Sequence, residues 1–362
     1  MTKRSRASFV PQQAAGQELP PDSPLTTKEG WRRFVEHAPS PPPLLTAAQQ
    51  AALSEKEKLH DEDLRRNYHA DLPLVNTPTI QKVIATSRLL IQLNRQQISA
   101  RRGIIISGSS GTGKTTALSQ LGRAHEIAVR KRHPRDRSRL PVVYVTVPPA
   151  ATPKMLAMEF ARFFGLDFPT RFNIADVVNA VCATAAHVNV DLVLVDELHN
   201  LNLATRTGAE ASDQLKYFAE RLPATFAYAG IDVEDQGLFA GTRGRQIAGR
   251  FTVIPAVPFS YAPGTDRDTW KSLVSTLESL LRLHRHQAET LTTLSEYLYH
   301  RSGGMIGSLS QLIRGAAVLA IEDGSENITA DLLETVPVDY AAERSQALTA
   351  PEKPRSRRRR IA

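Results

Sequence analysis

Five short apolar runs alternate with helical patterns across the middle of the chain. These runs predict strands, at Gly103–Ser107, Val142–Val147, Asp191–Val195, Thr225–Ala229 and Phe251–Ile254. Apolar residues at helical spacing lie between them, at Met155–Phe164, Ile174–Ala186 and Asp213–Arg221. Continuous apolar strands separated by helices are typical of an α/β fold in which a parallel sheet is covered by helices on both faces.

The patterns on either side of this sheet are helical. Helical spacing from Ile80 to Ile91 predicts a helix that starts at Thr77-Pro78, within a helical extension over residues 46–100. After Pro263 only helical faces follow, and Thr329 can cap the last helix. We therefore expect the sheet domain to span residues 101–262 and a small all-helical module to span residues 263–340.

Both ends of the chain lack lasting periodicity. Residues 1–45 are rich in Pro, Ser and Gln, which predicts a mostly disordered arm with one short helix near Trp31–His37. Residues 341–362 end in an arginine-rich run and predict a basic disordered tail. Such a tail can bind DNA loosely or dock on an acidic partner.

Composition narrows the class of protein. The single cysteine, Cys182, excludes a disulfide framework, and its apolar helical surroundings favour a buried structural thiol. No window approaches about 18 consecutive apolar residues, and the N-terminus lacks an apolar signal-peptide core. We therefore expect a cytoplasmic protein without a membrane span. The net charge of +8 permits a polyanionic partner such as nucleic acid.

The turn after the first strand carries a nucleotide-binding motif. Residues 108–115 read Gly-Ser-Ser-Gly-Thr-Gly-Lys-Thr and match G-x-x-x-x-G-K-[ST] in full, between an apolar strand and the helical stretch Ala117–Ala128. The glycines let backbone N–H groups turn towards phosphates, and the helix N-terminus adds its dipole. A chance glycine-rich turn is the weaker alternative. The predicted nucleotide-binding residues are Gly108, Ser109, Ser110, Gly111, Thr112, Gly113, Lys114, Thr115 and Thr116.

An acidic pair at the end of the third strand supplies the second half of this site. Lys114 is expected to reach the β- and γ-phosphates, and Thr115 to place its hydroxyl on Mg²⁺. Asp196 would hold the Mg²⁺, largely through water, and Glu197 would polarise the attacking water. An acidic pair that only solvates the end of the sheet is the alternative. About 80 residues after a complete P-loop, the pair favours an ATPase that uses ATP and Mg²⁺.

The order of these motifs resembles the AAA+ superfamily, and within it the TniB/TnsC-type transposition ATPases, over roughly residues 65–335. The resemblance rests on Gly108–Thr116, Leu192–Asn200 with its Asp-Glu-Leu-His sequence, Gly244–Phe251 and Ser302–Gly307. It implies an AAA+ sheet followed by a helical lid domain. It also implies an arginine finger near the fifth strand that reaches the γ-phosphate held by a neighbouring subunit. Arg250 matches the finger best, Arg245 is the runner-up and Arg243 comes third, with ordinary surface arginines as the alternative.

Two positions depart from the AAA+ pattern. The fourth strand ends Ala229-Gly230-Ile231-Asp232 in place of the usual polar sensor, so Asp232 is the substitute that the resemblance offers. Gly307 and Ser308 stand near the place of the lid arginine, and Arg314 follows two turns later. These departures fit slow hydrolysis that DNA or a partner stimulates.

The segment between the P-loop helix and the second strand is dense in cations. It can neutralise DNA phosphates without reading sequence, or it can be a solvated loop. The resemblance favours contact with duplex DNA, because transposition ATPases assemble on it. No recognition helix, zinc spacing or RNA-binding signature indicates sequence-specific readout. The candidate DNA contacts are Arg130, Lys131, Arg132, Arg135, Arg137 and Arg139.

The function that these expectations favour is an ATPase that assembles as a homo-oligomeric ring or filament on double-stranded DNA. There it regulates an integrase-like transposase. One alternative is a replication initiator or helicase loader, and another is a signalling or defence NTPase without a DNA role. His199, close to the acidic pair, is interpreted as a structural or supporting residue and not as a metal ligand.

Overall fold

A five-stranded parallel sheet lies at the centre of the larger of two hydrophobic cores. The computed structural model describes residues 23–169, 172–201, 205–234 and 249–339. The strands are β1 Gly103–Ser107, β2 Val142–Thr146, β3 Leu192–Asp196, β4 Thr225–Gly230 and β5 Phe251–Pro255. Their order is β2-β3-β4-β1-β5, and every neighbouring pair is parallel. Each strand lies within one residue of its predicted bounds.

Every residue of β1, β3 and β4 is buried. Because successive side chains of a strand point to opposite faces, both faces of the sheet are covered, as predicted. The helices are α1 Lys28–Glu36, α2 Ala47–Ala52, α3 Glu55–Ala70, α4 Pro78–Asn94, α5 Lys114–Arg132, α6 Pro153–Phe164, α7 Ile174–His187, α8 Arg206–Arg221, α9 Thr265–Ser279, α10 Thr290–Thr293, α11 Ser295–Ser302, α12 Ile306–Glu322 and α13 Ala330–Thr335.

Capping hydroxyls set the starts of several helices. The Thr77 hydroxyl accepts the Ile80 N–H at 3.3 Å at the start of α4, and the Thr329 hydroxyl accepts the Leu332 N–H at 3.2 Å at the start of α13. Both starts agree with the prediction. The predicted helix over 213–221 begins earlier, at Arg206, because the Thr205 hydroxyl accepts the Gly208 N–H at 3.1 Å.

Helix α1 forms where the sequence predicted one short helix, near Trp31–His37 in a mostly disordered arm, and it packs on the sheet core. Trp31 is fully buried and stacks on the Tyr144 ring of β2, with ring centroids 5.8 Å apart and planes 13° apart. The Trp31 indole N–H donates to the Glu126 carboxylate of α5 at 2.5 Å. One tryptophan thus contributes both apolar area and a polar contact. The surrounding Pro and Ser residues dominate the composition, so the sequence pattern did not reveal this anchor.

The helical extension divides between the two cores. α3 packs on α12 of the C-terminal helices, whereas α4 packs on α5 and β1. Arg65 of α3 is 2% exposed and donates to Asp61 at 2.8 Å and to both oxygens of Glu326 at 2.7 and 2.9 Å. A buried guanidinium requires such complete pairing because desolvation of an unpaired charge is costly. Residues 71–77 therefore connect the two cores, and we call them the connecting segment.

The second core lies among the C-terminal helices, as predicted. Trp270 of α9 is fully buried, and its indole N–H donates to the Ser295 carbonyl at 2.8 Å. Gly304, between α11 and α12, has φ +70°, and a Cβ there would lie 2.3 Å from the Phe259 carbonyl oxygen. Only glycine fits this turn. We refer to residues 265–335 as the lid.

Among the described residues, no single helix combines the length and apolar composition needed to cross a membrane. Helices α11 and α12, which meet at a bend of 118°, meet these criteria only as a pair.

Candidate functional site

The P-loop occupies the turn from β1 into α5. Gly111 and Gly113 have φ values of +79° and +85°, a region that L side chains rarely adopt. A Cβ on Gly108 would lie 1.9 Å from the Ala256 carbonyl oxygen, so the loop also needs glycine for close packing. No side chain caps α5 at Gly113. The first N–H groups of this helix are therefore oriented towards the cleft, where an anion can accept from them.

Lys114 is 9% exposed and reaches back across the loop, where its Nζ donates to the Ser109 carbonyl at 2.6 Å. Burial lowers the pKa of Lys114, and the carboxylates of Asp232, Glu197 and Asp196 act in the opposite direction. These acidic groups therefore lie close enough to Lys114 to stabilise its charge. The predicted lysine and the predicted acidic pair share one site.

Asp196 is buried at the end of β3, and both of its carboxylate oxygens accept hydrogen bonds. The Tyr144 hydroxyl donates to Oδ2 at 2.7 Å, and the Glu197 backbone N–H donates to Oδ1 at 2.8 Å. Burial and the adjacent Asp196 charge raise the pKa of Tyr144 well above its ordinary value. The hydroxyl therefore keeps its proton and holds the carboxylate in one orientation.

Glu197 lies at a sharp turn in the chain. Its φ of +57° is left-handed, which is uncommon for a residue with a side chain and indicates local strain. The turn leads into a short 3₁₀ helix, Leu198–Asn200. His199 Nε2 lies 3.0 Å from Glu197 Oε2. The strained turn thus places the carboxylate of Glu197 beside an imidazole.

A cleft of about 520 Å³ is lined by P-loop residues 110–116 together with Asp196, Glu197 and His199. The lid contacts the P-loop directly across this cleft, because the Gly307 N–H donates to the Gly111 carbonyl at 3.3 Å. A volume of this size suits a nucleotide. Both cores and the connecting segment line the cleft, through residues 71–75, 110–116, Asp196, Glu197, His199, Gly230, Ile231, Ile306, Gly307, Ser310 and Arg314.

The donors in this cleft fit a nucleoside triphosphate with Mg²⁺. The left-handed glycines shape a backbone cradle that a Cβ would strain, and Lys114 adds a cation. Thr115 and Asp196 supply hydroxyl and carboxylate oxygens, the ligand types that Mg²⁺ prefers alongside phosphate oxygens and water. Within the described ranges, no cluster of three or more His, Cys, Asp or Glu side chains could hold a metal ion without such a ligand.

The two sensor positions differ in their surroundings. Asp232 is exposed two residues after the end of β4, and its carboxylate is the charge with the largest effect on the pKa of Lys114. It therefore lies where a sensor is expected, and its role stays a prediction. Arg314 of the lid donates through Nε to the His69 carbonyl at 3.2 Å and through a second nitrogen to the Ala70 carbonyl. Its guanidinium caps the C-terminal end of α3 while it lines the cleft.

Arg250 lies at the opposite end of the sheet from the P-loop. Its carbonyl accepts the Gly103 N–H at 3.0 Å where β1 begins, and its side chain lies 3.6 Å from Glu220. The four residue steps of β1 separate it from the P-loop by roughly 13 Å. Arg250 therefore does not enter the cleft of the same chain. Arg245 and Arg243 lie outside the described residues.

The basic segment between α5 and β2 is more structured than the sequence suggested. Arg130 to Arg132 belong to the last turn of α5, and Arg130 pairs with buried Glu126 at 2.6 Å and with Glu36 at 2.9 Å. The Arg130 cation thus serves the packing of α1. Lys131, Arg132, Arg135 and Arg137 are exposed, whereas Arg139 is half-buried and 4.0 Å from Asp136.

Sequence reasoning assigned no role to Tyr144, to Trp31 or to the connecting segment. The one available signal was a tyrosine hydroxyl inside the apolar run Val142–Val147, because a buried hydroxyl needs a hydrogen-bond partner. Its partner, Asp196, is 52 residues away in the chain, so only the strand order could identify it.

The sheet order, the P-loop after β1, the acidic pair after β3 and the helical lid together define an AAA+ ATPase fold. Residues 67–261, more than half of the chain, match a family model described as "Bacterial TniB protein". This protein therefore belongs to the TniB family, which confirms the predicted resemblance.

Solved structures support the fold. Aeropyrum pernix ORC1 in complex with DNA superposes with a TM-score of 0.55 at 14% identity, over 77% of this chain and 67% of that one. Aeropyrum pernix ORC2 with ADPNP and ADP superposes with a TM-score of 0.55 at 17% identity, over 75% of this chain and 68% of that one. Drosophila ORC bound to DNA superposes with a TM-score of 0.50 at 14% identity, over 84% of this chain and 72% of that one. At such identities the similarity concerns the fold. A search of the curated proteins found no match.

The Tyr144→Phe variant tests how Asp196 is held. Loss of this hydrogen bond to the buried Asp196 carboxylate should raise the Mg²⁺ concentration needed for half-maximal nucleotide binding by about 10-fold or more. A Mg²⁺ titration with a fluorescent ATP analogue measures this change. Tyr217→Phe, which alters a partly exposed tyrosine of α8, is the matched control. An unchanged Mg²⁺ titration in folded Tyr144→Phe would show that the hydroxyl does not orient Asp196.

Proposed function

We propose that this protein binds ATP with Mg²⁺ and hydrolyses it, and that it uses the bound state to assemble on duplex DNA and regulate a partner transposase. One observation carries the proposal: Lys114, Thr115, Asp196 and Glu197 line a single cleft of nucleotide size. Membership of the TniB family supports it independently.

Each residue has a chemical task in hydrolysis. The P-loop N–H groups and Lys114 bind the phosphates, and charge on the phosphates replaces the Ser109 carbonyl as the partner of the lysine. Bound Mg²⁺ would neutralise charge on the phosphates, and Thr115 and Asp196 would hold the ion. Glu197 orients and polarises the attacking water. These tasks require the carboxylates to be held in place, and the two hydrogen bonds that Asp196 accepts fix its carboxylate.

The position of Arg250 supports an assembly of subunits. Because Arg250 lies at the end of the sheet away from its own P-loop, it is free to serve the site of a neighbouring subunit. An arginine placed at the γ-phosphate stabilises the charge of the transition state. The pair with Glu220 at 3.6 Å holds Arg250 on the surface, where a neighbour can displace it.

Exposed cations support binding to duplex DNA. The chain carries a net charge of +8, and Lys131, Arg132, Arg135 and Arg137 form one exposed basic surface at the end of α5. Repetition of this surface in an oligomer would line up cations along the phosphates, giving salt-dependent and sequence-independent binding. The TniB family favours a transposase over a replicative helicase as the partner.

Two variants test the nucleotide site. Lys114→Ala should abolish or severely weaken ATP binding because the phosphates lose their cation. Glu197→Gln should keep ATP bound and lower kcat by about 10²–10⁴-fold because the water loses its polarising carboxylate. Calorimetry and phosphate release measure the two effects. Glu210→Gln of α8, which neutralises an exposed ion pair, is the control. Undiminished hydrolysis by Glu197→Gln would remove Glu197 from this role.

A mixing experiment tests the arginine finger. Arg250→Ala should lower hydrolysis by at least about 10³-fold if the guanidinium completes a neighbour's site. Mixing Arg250→Ala with Glu197→Gln subunits should restore part of the rate, because some interfaces then combine an intact Arg250 with an intact Glu197. Mixing the double variant Arg250→Ala/Glu197→Gln with either single variant should restore no hydrolysis, because no interface then combines an intact Arg250 with an intact Glu197. Absence of recovery in the first mixture would leave Arg250 as a structural residue.

DNA binding is tested with ATP and with ADP over a range of salt concentrations. We expect binding to duplex that needs ATP, increases with duplex length and weakens with salt. The double variant Arg135→Ala/Arg137→Ala should lower the slope of log K against log salt by roughly 2 because two phosphate contacts are lost. Lys56→Ala/Arg206→Ala removes two exposed cations elsewhere and should bind like the wild type. Failure to bind duplex in any nucleotide state would refute the DNA role.

A further inference from the structure

His199 connects two parts of the site that the sequence treats separately. One ring nitrogen, Nε2, lies 3.0 Å from Glu197 Oε2, while the other, Nδ1, accepts the backbone N–H of Ile231 at 3.3 Å. A neutral imidazole with its proton on Nε2 satisfies both contacts, since it donates to the carboxylate and accepts from the backbone. The ring thus bridges Glu197 and the residue that follows β4.

The 3₁₀ helix that carries His199 is held on two sides. The Asn200 side-chain amide donates to the Val147 carbonyl, after β2, at 2.8 Å. Leu198 is buried. A Cβ on Gly230 would lie 3.2 Å from both the His199 backbone nitrogen and Leu198 Cβ, so the end of β4 packs closely against this helix. The imidazole is therefore on a supported element with little freedom to move.

Glu197 itself has few restraints. Its side chain is 42% exposed, and its backbone is in the strained left-handed region. A carboxylate on such a turn can rotate, yet a water attacking phosphorus must be held in line to react efficiently. A donor on one carboxylate oxygen restricts this rotation and leaves the other oxygen for water.

We propose that His199 is a positioning residue that orients Glu197 by tying its carboxylate to the C-terminal end of β4. This inference deepens the proposed ATPase function and rests on it. The proposal also accounts for the lack of a polar side chain in Ala229-Gly230-Ile231. The side chain that links the end of β4 to the carboxylate of Glu197 is that of His199, two residues after Glu197, and not one from β4 itself. The charge of Asp232 then stabilises that of Lys114, and His199 positions Glu197.

Kinetics of two substitutions test the proposal. His199→Phe keeps a ring but loses both hydrogen bonds, so kcat for ATP should fall by about 10–100-fold while KM stays within about twofold. His199→Gln, whose amide can both donate and accept, should recover most of the wild-type kcat. In a Glu197→Gln background, His199→Phe should add no further loss, because the group that it orients is already disabled.

The results that would overturn the proposal are distinct from those that would overturn the ATPase function. A wild-type protein that neither binds nor hydrolyses ATP refutes both. If the wild type hydrolyses ATP and His199→Phe has an unchanged kcat, or loses the same factor in the Glu197→Gln background, only the role of His199 is refuted. If His199→Phe raises KM and leaves kcat unchanged, only the role of His199 is likewise refuted.

A measurement without turnover covers the case in which His199→Phe does not fold. In nitrogen NMR of ¹⁵N-histidine-labelled protein, the imidazole whose signals disappear in His199→Gln should have a protonated Nε2 and an accepting Nδ1 in the wild type. Glu197→Gln should shift this Nε2 resonance because its partner changes from carboxylate to amide. A proton on Nδ1 instead, or no shift in the Glu197→Gln variant, would refute the bridge.

Discussion

The burial of both faces of a parallel sheet is the constraint on which the site depends. Strands β1, β3 and β4 are buried along their whole length, so they must occupy the middle of the sheet, next to one another. Parallel neighbours end at the same edge. The P-loop after β1, the acidic pair at the end of β3 and the turn after β4 therefore meet without any direct attraction between their functional groups.

A second level of organisation comes from the division into two cores. α3 belongs to the lid through the buried Arg65–Glu326 pair, whereas α4 belongs to the sheet core. The nucleotide cleft lies between them, closed on one side by the connecting segment and on another by the contact of Gly307 with Gly111. The shape of the cleft thus depends on how the two cores sit against each other, since each contributes only part of its wall.

The acidic pair depends on neighbours that carry no motif. Asp196 is oriented by Tyr144, whose ring packs against Trp31 of α1, and Glu197 is beside His199. Groups of this kind limit the freedom of the residues that contact a ligand. Their loss lowers the affinity for the ligand or the rate of the reaction. A segment near the N-terminus, in a stretch rich in Pro, Ser and Gln, is therefore part of the support of the Asp196 carboxylate.

The residues alone determined the strands, the capped starts of α4 and α13, the P-loop and the acidic pair, because these depend on neighbours a few positions apart in the chain. Only the tertiary structure decided the strand order, the burial of Trp31, the partner of Tyr144 and the pairing of Arg130 with Glu126 and Glu36. Most of these features join residues far apart in sequence, and α1 docks mainly through Trp31 and Val35 in a stretch of low hydrophobicity. Their contacts depend on how whole elements pack together, and local periodicity carries no information about that packing.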